Sequence, residues 1–470
     1  MKAIAVLALA ACACVGAERK PNVLFIAVDD LRPQLGCYGD KLAKSPNIDR
    51  LAGSGLLFER AYCQQAICMS SRASLMSGYR PDRFRIFENG PLYKNAPEAW
   101  SMNRHFQKHG YETVTLSKVY HHGSDETIGW SLPAMHPKGA WKGRGYLTAA
   151  AQQTAATEKD GRGPAFEAAD VPDSAYPDGV TLDAALAQLE RLKKLDRPFF
   201  LAVGFLRPHL PFNAPKRYWD LYPADAIPLA ARSEPPKNAL ACALTDWSEL
   251  RKYSGLPRKG PVSPELARQL VHGYYACVSY TDALVGRLLD RLRALGLDEQ
   301  TVVVLWADHG WKLGDYGMWC KHTNYEIDTR VPLIIRAPGR APGRSRGLVE
   351  LVDLYPTLAE LCALPRPEHL EGTSLVPLLK NPSLPWKRAA FSHYPRPGIM
   401  GRSVRTERHR YTEWRKMDGG ELVACELYDF DSDPQGATNI ADEPAHAAQI
   451  KQLAATLSAG WQAARPVGTP

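Results

Sequence analysis

Four features that would assign the sequence to a common class of protein are missing from it. Beyond the N-terminus it has no long apolar run, no basic tract, no internal repeat and no Cys-x-x-Cys pair. The first two absences argue against a membrane span and against a nucleic-acid partner. Its ten cysteines are widely and irregularly spaced, so neither a disulfide framework nor a zinc knuckle is indicated.

The sequence does contain enough apolar residues for a large core. Of its 470 residues, 45% are hydrophobic and 23% are charged, which predicts one large domain and one smaller domain. The formal net charge of +8 is spread along the chain, and it suits an anionic substrate.

The N-terminus, MKAIAVLALAACACVGAERK, has the order of an export signal: a lysine, a short apolar run and then small residues. Cleavage after Ala17 would make residues 1–17 a signal peptide and release a secreted or periplasmic protein. The segment LAAC, which ends at Cys12, also resembles a lipoprotein box, so lipid anchoring through Cys12 is an alternative. In either case no transmembrane span is expected.

Four apolar runs have the character of buried strands, and each one ends in ionisable residues. They are NVLFIAVDD, YETVTLSKVYH, PFFLAVGFLRPH and TVVVLWADHG, and helical patterns separate them. This alternation predicts an α/β fold for residues 18–379. After Leu379 the pattern predicts a subdomain, residues 380–470, with a small antiparallel sheet and a terminal helix. The alanine-rich stretch from Thr148 is predicted to be a mobile loop.

The strand ends predict one site, because ligands of such sheets bind outside the carboxyl ends of the strands. Asp29 and Asp30 end one run and Asp308, beside His309, ends another. Each acid taken alone could cap a turn. Three carboxylates meeting at one edge would repel one another, however, and a Ca²⁺ or Mg²⁺ ion would neutralise them.

Basic residues lie at comparable positions. Lys118 and His121 follow one run, His209 follows another, and Lys321 lies downstream of Asp308. Cations around an anion would stabilise a transferred sulfuryl or phosphoryl group, and a histidine can donate the proton of the leaving group.

Cys68 opens the segment CMSSRASLMSG, and Arg72 follows it by four residues. The pattern places Cys68 at the N-terminus of a helix, which favours an anion. An exported cysteine is otherwise most often a disulfide partner or a buried apolar residue.

This segment resembles the sulfatase signature CxPSRxxLxTG, in which the cysteine is oxidised after translation to formylglycine. Further segments, in order from Pro21 to Asp442, resemble the iduronate-2-sulfatase branch of the formylglycine-dependent sulfatases. Among them are DDLRPQLGCYGD, SKVYHHG, AVGFLRPHLPF and DHGWKLGDYGMWCKH. The resemblance implies a sulfuric-ester hydrolase with an alkaline-phosphatase-like fold: a large mixed sheet flanked by helices and a smaller C-terminal sheet.

The resemblance also implies a role for each site residue. One Ca²⁺, with Mg²⁺ as the alternative, would be bound by Asp29, Asp30, Asp308, His309 and the formylglycine made from Cys68. Arg72 would hold the formylglycine hydroxyl, Lys118 and Lys321 would grip the sulfate, His209 would protonate the leaving alcohol, and His121 would deprotonate the sulfated diol. A diol nucleophile has a chemical advantage, because it can collapse to the aldehyde and expel sulfate without attack by water at sulfur.

Ser70 is the departure from the signature, since proline is usual at its position. It bears on whether a formylglycine-generating enzyme or a radical sulfatase-maturing enzyme acts on Cys68. The implied substrate is a sulfated saccharide, such as a 2-O-sulfated uronic acid, with His393, Tyr394 and Arg396 beside it. The alternatives are a phosphonate monoester or phosphodiester hydrolase and, if Cys68 is never oxidised, a non-catalytic carbohydrate-binding protein.

Overall fold

A computed structural model describes residues 20–87, 90–138 and 144–466. The predicted signal peptide, residues 1–17, and Cys12 lie outside this part of the chain. The strands, in chain order, are β1 (Asn22–Val28), β2 (Leu56–Tyr62), β3 (Glu112–Ser117), β4 (Phe166–Ala169), β5 (Phe199–Phe205), β6 (Phe212–Pro215), β7 (Thr301–Ala307), β8 (Lys312–Leu313), β9 (Trp319–Cys320), β10 (Arg330–Arg336), β11 (Gly343–Glu350), β12 (Ala390–Arg396), β13 (Ile399–Arg405), β14 (His409–Lys416) and β15 (Leu422–Asp429).

Helices alternate with these strands along the chain, and the longest helix of the described residues begins at Pro264. In chain order they are α1 (Pro46–Ser54), α2 (Cys68–Ser77), α3 (Leu92–Asn95), α4 (Met102–Lys108), α5 (Ala149–Thr157), α6 (Pro177–Lys193), α7 (Lys216–Trp219), α8 (Ser248–Arg251), α9 (Pro264–Ala294), α10 (Glu326–Thr329), α11 (Leu354–Leu361), α12 (Val376–Lys380) and α13 (Ala447–Ala463).

The large sheet is a mixed sheet of seven strands in the order β11-β2-β10-β7-β1-β5-β3. The strand β10 runs antiparallel to both of its neighbours, and every other pairing is parallel. β1, β5 and β7 are apolar along nearly their whole length and almost entirely buried. This is the pattern of a sheet covered by other elements on both faces, so the predicted α/β fold is confirmed.

A second sheet, of four antiparallel strands in the order β12-β13-β14-β15, forms from the C-terminal part of the chain. α13 packs on it and closes a small apolar core that includes Val404, Leu427 and Leu453. The predicted boundary at Leu379 falls inside α12, before the first of these strands. That boundary stays a prediction.

The prediction of a mobile loop from Thr148 was wrong, because the segment forms α5. The hydroxyl of Thr148 accepts a hydrogen bond from the Ala151 backbone N–H, which caps the helix N-terminus. The alanines that follow have the highest helix propensity of any residue. The residues after Thr157 are typical of turns, and for that reason the whole segment was predicted to be a loop.

Two further absences hold within the described residues. No helix there is both long enough and apolar enough to cross a membrane. None of the cysteines described takes part in a disulfide.

Candidate active site

The strand-end acids of β1 and β7 lie together at one edge of the large sheet. The two strands are parallel neighbours, with Val28 paired to Ala307, so the residues that follow them emerge side by side. The backbone N–H of Asp30 donates to Asp308 Oδ1 at 3.1 Å. Asp29, Asp30 and Asp308 are all fully buried. The sequence therefore places three carboxylates where solvent cannot screen their repulsion.

Cys68 is the first residue of α2 and faces these acids. Its Sγ lies 3.3 Å from His309 Nε2 and 3.9 Å from Asp30 Oδ1. Asp30, Cys68, Asp308 and His309 offer donor atoms that all lie within 4.8 Å of one another. Burial, together with the nearby carboxylates, raises the pKa of the Cys68 thiol well above its ordinary value. An unmodified Cys68 would therefore carry little thiolate, the form in which cysteine is a nucleophile.

Arg72, one turn further along α2, holds two of the acids in place. Its Nε donates to Asp308 Oδ2 at 2.9 Å and one terminal nitrogen donates to Asp29 Oδ1 at 2.7 Å. The other terminal nitrogen donates to the carbonyl oxygens of Lys118 and Val119. These four bonds leave one of the five guanidinium N–H groups for any further partner.

The donor set fits a hard divalent cation. Asp29 Oδ2 is buried and has no hydrogen-bond partner, a costly state unless another charge satisfies it. Although burial raises the pKa of Asp29, Lys118 and Arg72 hold it well below its ordinary value, so this side chain is ionised. His309 Nδ1 lies 2.9 Å from the Gly310 carbonyl, which leaves the Nε2 lone pair directed at the cluster. Oxygen-rich ligation of this kind suits Ca²⁺ or Mg²⁺.

Two lysines lie beside the acids. Lys321 Nζ is 3.2 Å from both carboxylate oxygens of Asp30. Lys118 Nζ is 3.9 Å from Asp29 Oδ2 and 2.9 Å from His121 Nδ1. Burial raises the pKa of Asp30 to about 8, although Lys321 and His309 oppose the rise. A bound cation would favour its ionised form in the same way.

The two predicted histidines occupy different environments. Burial and the Lys118 cation lower the pKa of His121 to about 2, so its ring is uncharged near neutral pH. His209 follows β5 and is buried; its Nδ1 lies 2.6 Å from the Leu210 carbonyl and its Nε2 lies 3.8 Å from Asp30 Oδ2. One histidine is therefore uncharged beside a lysine, and the other has contacts at both ring nitrogens.

Glu249 belongs to the site, although no sequence pattern indicated it. Its Oε1 lies 3.0 Å from His209 Nε2, and its Oε2 lies 2.8 Å from Lys321 Nζ and 3.7 Å from His322 Nε2. Partial burial raises the pKa of Glu249, but Lys321 and His209 hold it well below its ordinary value. Glu249 lies in the one-turn helix α8. No strand pattern precedes this helix, so a search for polar residues at strand ends does not find Glu249.

The three residues predicted to lie beside the substrate do not form one group. The Tyr394 hydroxyl pairs with His322 Nδ1 at 2.7 Å, next to Glu249. Arg396 donates to the backbone carbonyls of Cys242, Leu244 and His322 and to that of its neighbour Pro395. A substrate carboxylate would have to compete with these acceptors.

His393 lies on the opposite face of β12 from Tyr394. Its Nδ1 is 3.4 Å from Asp82 Oδ2 and its Nε2 is 3.1 Å from Gln65 Oε1. The loop that leads into Cys68 contains Gln65, so His393 lies beside that loop.

Ser70, the departure from the signature, is fully buried in α2, and its hydroxyl donates to the Ile86 carbonyl at 2.9 Å. The serine therefore makes a structural contact that proline could not make. Within the described residues this hydroxyl bonds to the backbone of Ile86 and to no member of the cluster around Cys68.

Comparisons with known proteins agree with this geometry. The model of the family described as Sulfatase matches residues 21–363, and that described as "N-sulphoglucosamine sulphohydrolase, C-terminal" matches residues 314–462. Iduronate 2-sulfatase of Homo sapiens is 35% identical, over 90% of this chain and 92% of its own length. A sulfatase of Formosa agariphila is 30% identical, over 94% and 88%. The structure of the phosphonate monoester hydrolase of Agrobacterium radiobacter superposes with a TM-score of 0.79 at 24% identity, over 94% of this chain and 95% of that one, which is a likeness of fold.

Proposed function

The chain belongs to the sulfatase family of sulfuric-ester hydrolases, and on that basis we propose that it removes sulfate from a 2-O-sulfated uronic acid of a sulfated carbohydrate. We propose further that it acts outside the cytoplasm, through a formylglycine made from Cys68 and with Ca²⁺ as the metal. The observation that carries this proposal is the position of Cys68, at a helix N-terminus and within 3.3 Å of His309 Nε2.

The surroundings of Cys68 favour conversion of the thiol. As encoded, the side chain is a buried thiol among carboxylates, a poor nucleophile by both burial and charge. Formylglycine supplies an aldehyde whose hydrate offers one hydroxyl for attack at sulfur and a second for expulsion of sulfate. The maturing enzyme is a formylglycine-generating or a radical sulfatase-maturing enzyme, and Ser70 bears on which of the two it is.

Asp29, Asp30, Asp308 and His309 would hold the metal, and all four are fully buried. A bound divalent cation supplies Lewis acidity, lowering the pKa of a coordinated hydroxyl and offsetting charge on sulfate oxygens. Arg72 contributes by position: its bonds to Asp29 and Asp308 fix the two carboxylates that face Cys68.

Four further residues would bind the sulfate or transfer protons. Lys118 and Lys321 place two ammonium groups beside the acids, where they would bind the sulfate oxygens. His209 would donate the Nε2 proton to the leaving alcohol. Burial and Lys118 lower the pKa of His121, so its ring is uncharged at neutral pH; it would act as the base during sulfate release, where sulfate bound to Lys118 would offset the cation that lowers its pKa.

Two observations support a uronate 2-sulfate as the substrate. The human relative, 35% identical over nearly the whole chain, is named for iduronate 2-sulfate. The formal net charge of +8 suits a polyanionic carbohydrate. Of the three residues first predicted beside the substrate, Tyr394 is proposed as a contact, because its hydroxyl pairs with His322, the residue that follows Lys321. Arg396 and His393 are bonded within the protein and would act by holding the neighbouring loops.

One experiment on protein made in its native host tests the proposal. Mass spectrometry of the peptide that spans Cys68 is expected to give the mass of an aldehyde in place of the thiol. The same preparation is expected to desulfate a uronate 2-sulfate faster than a neutral 6-sulfated sugar, and faster than it hydrolyses a matched phosphonate monoester. An unmodified Cys68 in an active preparation would contradict the nucleophile. Equal rates on the two sulfated sugars would contradict the substrate.

A further inference from the structure

The carboxylate of Glu249 contacts two groups to which the proposed function gives different tasks. Its Oε1 lies 3.0 Å from Nε2 of His209, the proposed proton donor, and its Oε2 lies 2.8 Å from Nζ of Lys321, the proposed sulfate ligand. The two contacts use different oxygens, so one side chain spans the distance between His209 and Lys321. About 20% of the side chain is exposed, which places it at the open side of the site.

The segment around Glu249 is anchored independently of the site. Leu250 and Trp247 are buried, and Trp247 has left-handed backbone angles, with φ 45° and ψ 43°, at the start of α8. The guanidinium of Arg251 lies 3.2 Å from the Trp247 ring centroid and donates to the carbonyls of Asp246, Pro257 and Gly260. The carboxylate is thus presented by a fixed turn before any substrate arrives.

Asp29 and Asp30 also lie near His209, and both have a different task as proposed metal ligands. Asp30 Oδ2 lies 3.8 Å from His209 Nε2, but Asp30 is a proposed metal ligand, and a cation would draw its oxygens away. Glu249 has no place in the proposed metal set formed by the strand-end residues, so its contacts with His209 and Lys321 are compatible with a bound metal. Hydrogen bonds of this kind fix the orientation of a catalytic ring.

We propose that Glu249 is a positioning residue. Its Oε1 directs the Nε2–H of His209 towards the open side of the site, where the leaving-group oxygen would share that hydrogen bond and then take the proton, and its Oε2 holds Lys321 against the sulfate. The proposal rests on the proposed function, because it assigns a task to Glu249 through those two residues. It predicts a defect that depends on the leaving group. An acidic phenol departs without a well-placed proton donor, whereas a sugar alcohol does not.

The test compares wild type with Glu249→Gln, which keeps the shape of the side chain but turns one acceptor oxygen into a donor. The substrates are an aryl sulfate with an acidic phenol and a sulfated sugar, and kcat and KM are measured for each. We expect kcat on the sugar sulfate to fall by about 100-fold and kcat on the aryl sulfate by less than about 10-fold. Glu249→Asp is expected to recover part of the loss.

Two controls accompany the test. Asp246→Asn changes a carboxylate on the same turn that caps Ser248 N at 3.1 Å and does not contact the site, so its kinetics should match wild type. His209→Ala supplies the reference for loss of the proton donor, and its defect should also be larger on the sugar sulfate. Melting temperatures of all variants show whether each one is folded.

The outcomes separate this inference from the proposed function. Equal losses on both substrates in Glu249→Gln, with a leaving-group-dependent loss in His209→Ala, would overturn the role of Glu249 and leave the function standing. Unchanged kinetics in Glu249→Gln would also overturn the role of Glu249 and leave the function standing. If the folded wild type with an oxidised Cys68 hydrolyses no sulfate ester, the proposed function itself fails.

Discussion

At the scale of single residues, the acids of the site are held together at a cost that other groups must offset. Asp29, Asp30 and Asp308 are fully buried, and Arg72 neutralises only part of their charge. Asp29 Oδ2 has no hydrogen-bond partner. Buried carboxylates in this state destabilise the folded chain unless a cation binds them.

The first prediction concerns removal of that cation. A chelator is expected to lower the melting temperature by several degrees, because a ligand at about 1,000 times its dissociation constant adds about 4 kcal/mol to the free energy of unfolding. Calorimetry with chelator, followed by Ca²⁺ or Mg²⁺ in excess, measures the loss and identifies the ion that restores it. The control is Asp308→Asn, which should respond little to the chelator. Superimposable wild-type melting curves with and without chelator would speak against a metal site.

At the scale of the secondary-structure elements, the close approach of β5 to the end of β3 places Lys118. Gly204 in β5 lies against the backbone of Lys118, and a Cβ there would come within 2.1 Å of the Lys118 carbonyl oxygen. That same oxygen accepts a hydrogen bond from Arg72. Because Gly204 has no side chain, β5 can pack directly against the backbone of Lys118, and the carbonyl of Lys118 in turn holds Arg72.

The second prediction is that Gly204→Ala lowers both stability and activity. The new methyl group must displace the Lys118 backbone, so the free energy of unfolding should fall by about 1–3 kcal/mol and kcat by about 10-fold or more. Gly53→Ala is the matched control, because a Cβ at Gly53 in α1 meets nothing within 4 Å. Alanine should stabilise that helix slightly. Urea unfolding and steady-state kinetics measure both variants; equal behaviour of the two would disprove the close-approach argument.

The elements were predictable to different degrees. The strands β1, β3, β5 and β7 were readable because continuous apolar runs bounded by polar residues identify buried strands. α5 was missed because its alanines were interpreted together with the turn residues that follow. β12 has a proline and two basic residues, His393 and Arg396, so its strand character comes from pairing with β13.

At the scale of the whole molecule, buried ion pairs join the two sheets. Glu326 in α10 accepts hydrogen bonds from Tyr62 of β2 at 2.9 Å, from Arg405 of β13 at 2.9 Å and from Arg410 of β14 at 2.8 Å. Burial raises the pKa of Glu326, but Arg405 and Arg410 outweigh burial and lower this pKa to about 2. The carboxylate therefore connects the large sheet to the small one, and it does so in its ionised form.

The third prediction is a pH-dependent loss of stability at this contact. Because its pKa is lower in the folded than in the unfolded state, Glu326 adds stability above its ordinary value of 4.5 and loses it as pH falls toward about 2. Glu326→Gln leaves two buried arginines without their partner and should lower the free energy of unfolding near neutral pH by about 3 kcal/mol. The difference from wild type should shrink as pH falls below 4.5.

Denaturant unfolding across this pH range measures the effect. Glu407→Gln is the control, since Glu407 is 78% exposed and lies 3.4 Å from Arg60, so its effect should be small at every pH. A difference between wild type and Glu326→Gln that stays constant into the acid range would mean that this carboxylate is not the group that titrates.

The class of fold and the chemical groups of the site could be predicted from the order of the residues. Apolar runs end in Asp29, Asp30 and Asp308, and parallel strands bring their carboxyl ends to one edge, so the order of residues implies their convergence. Tertiary packing was needed to establish which of these groups touch and which further residues join them. Glu249 reaches His209 and Lys321 from a one-turn helix, and Arg396 turns to backbone carbonyls, because loops distant in sequence pack there. Such contacts depend on where side chains point when segments distant in sequence pack together, and no local pattern of residues encodes this.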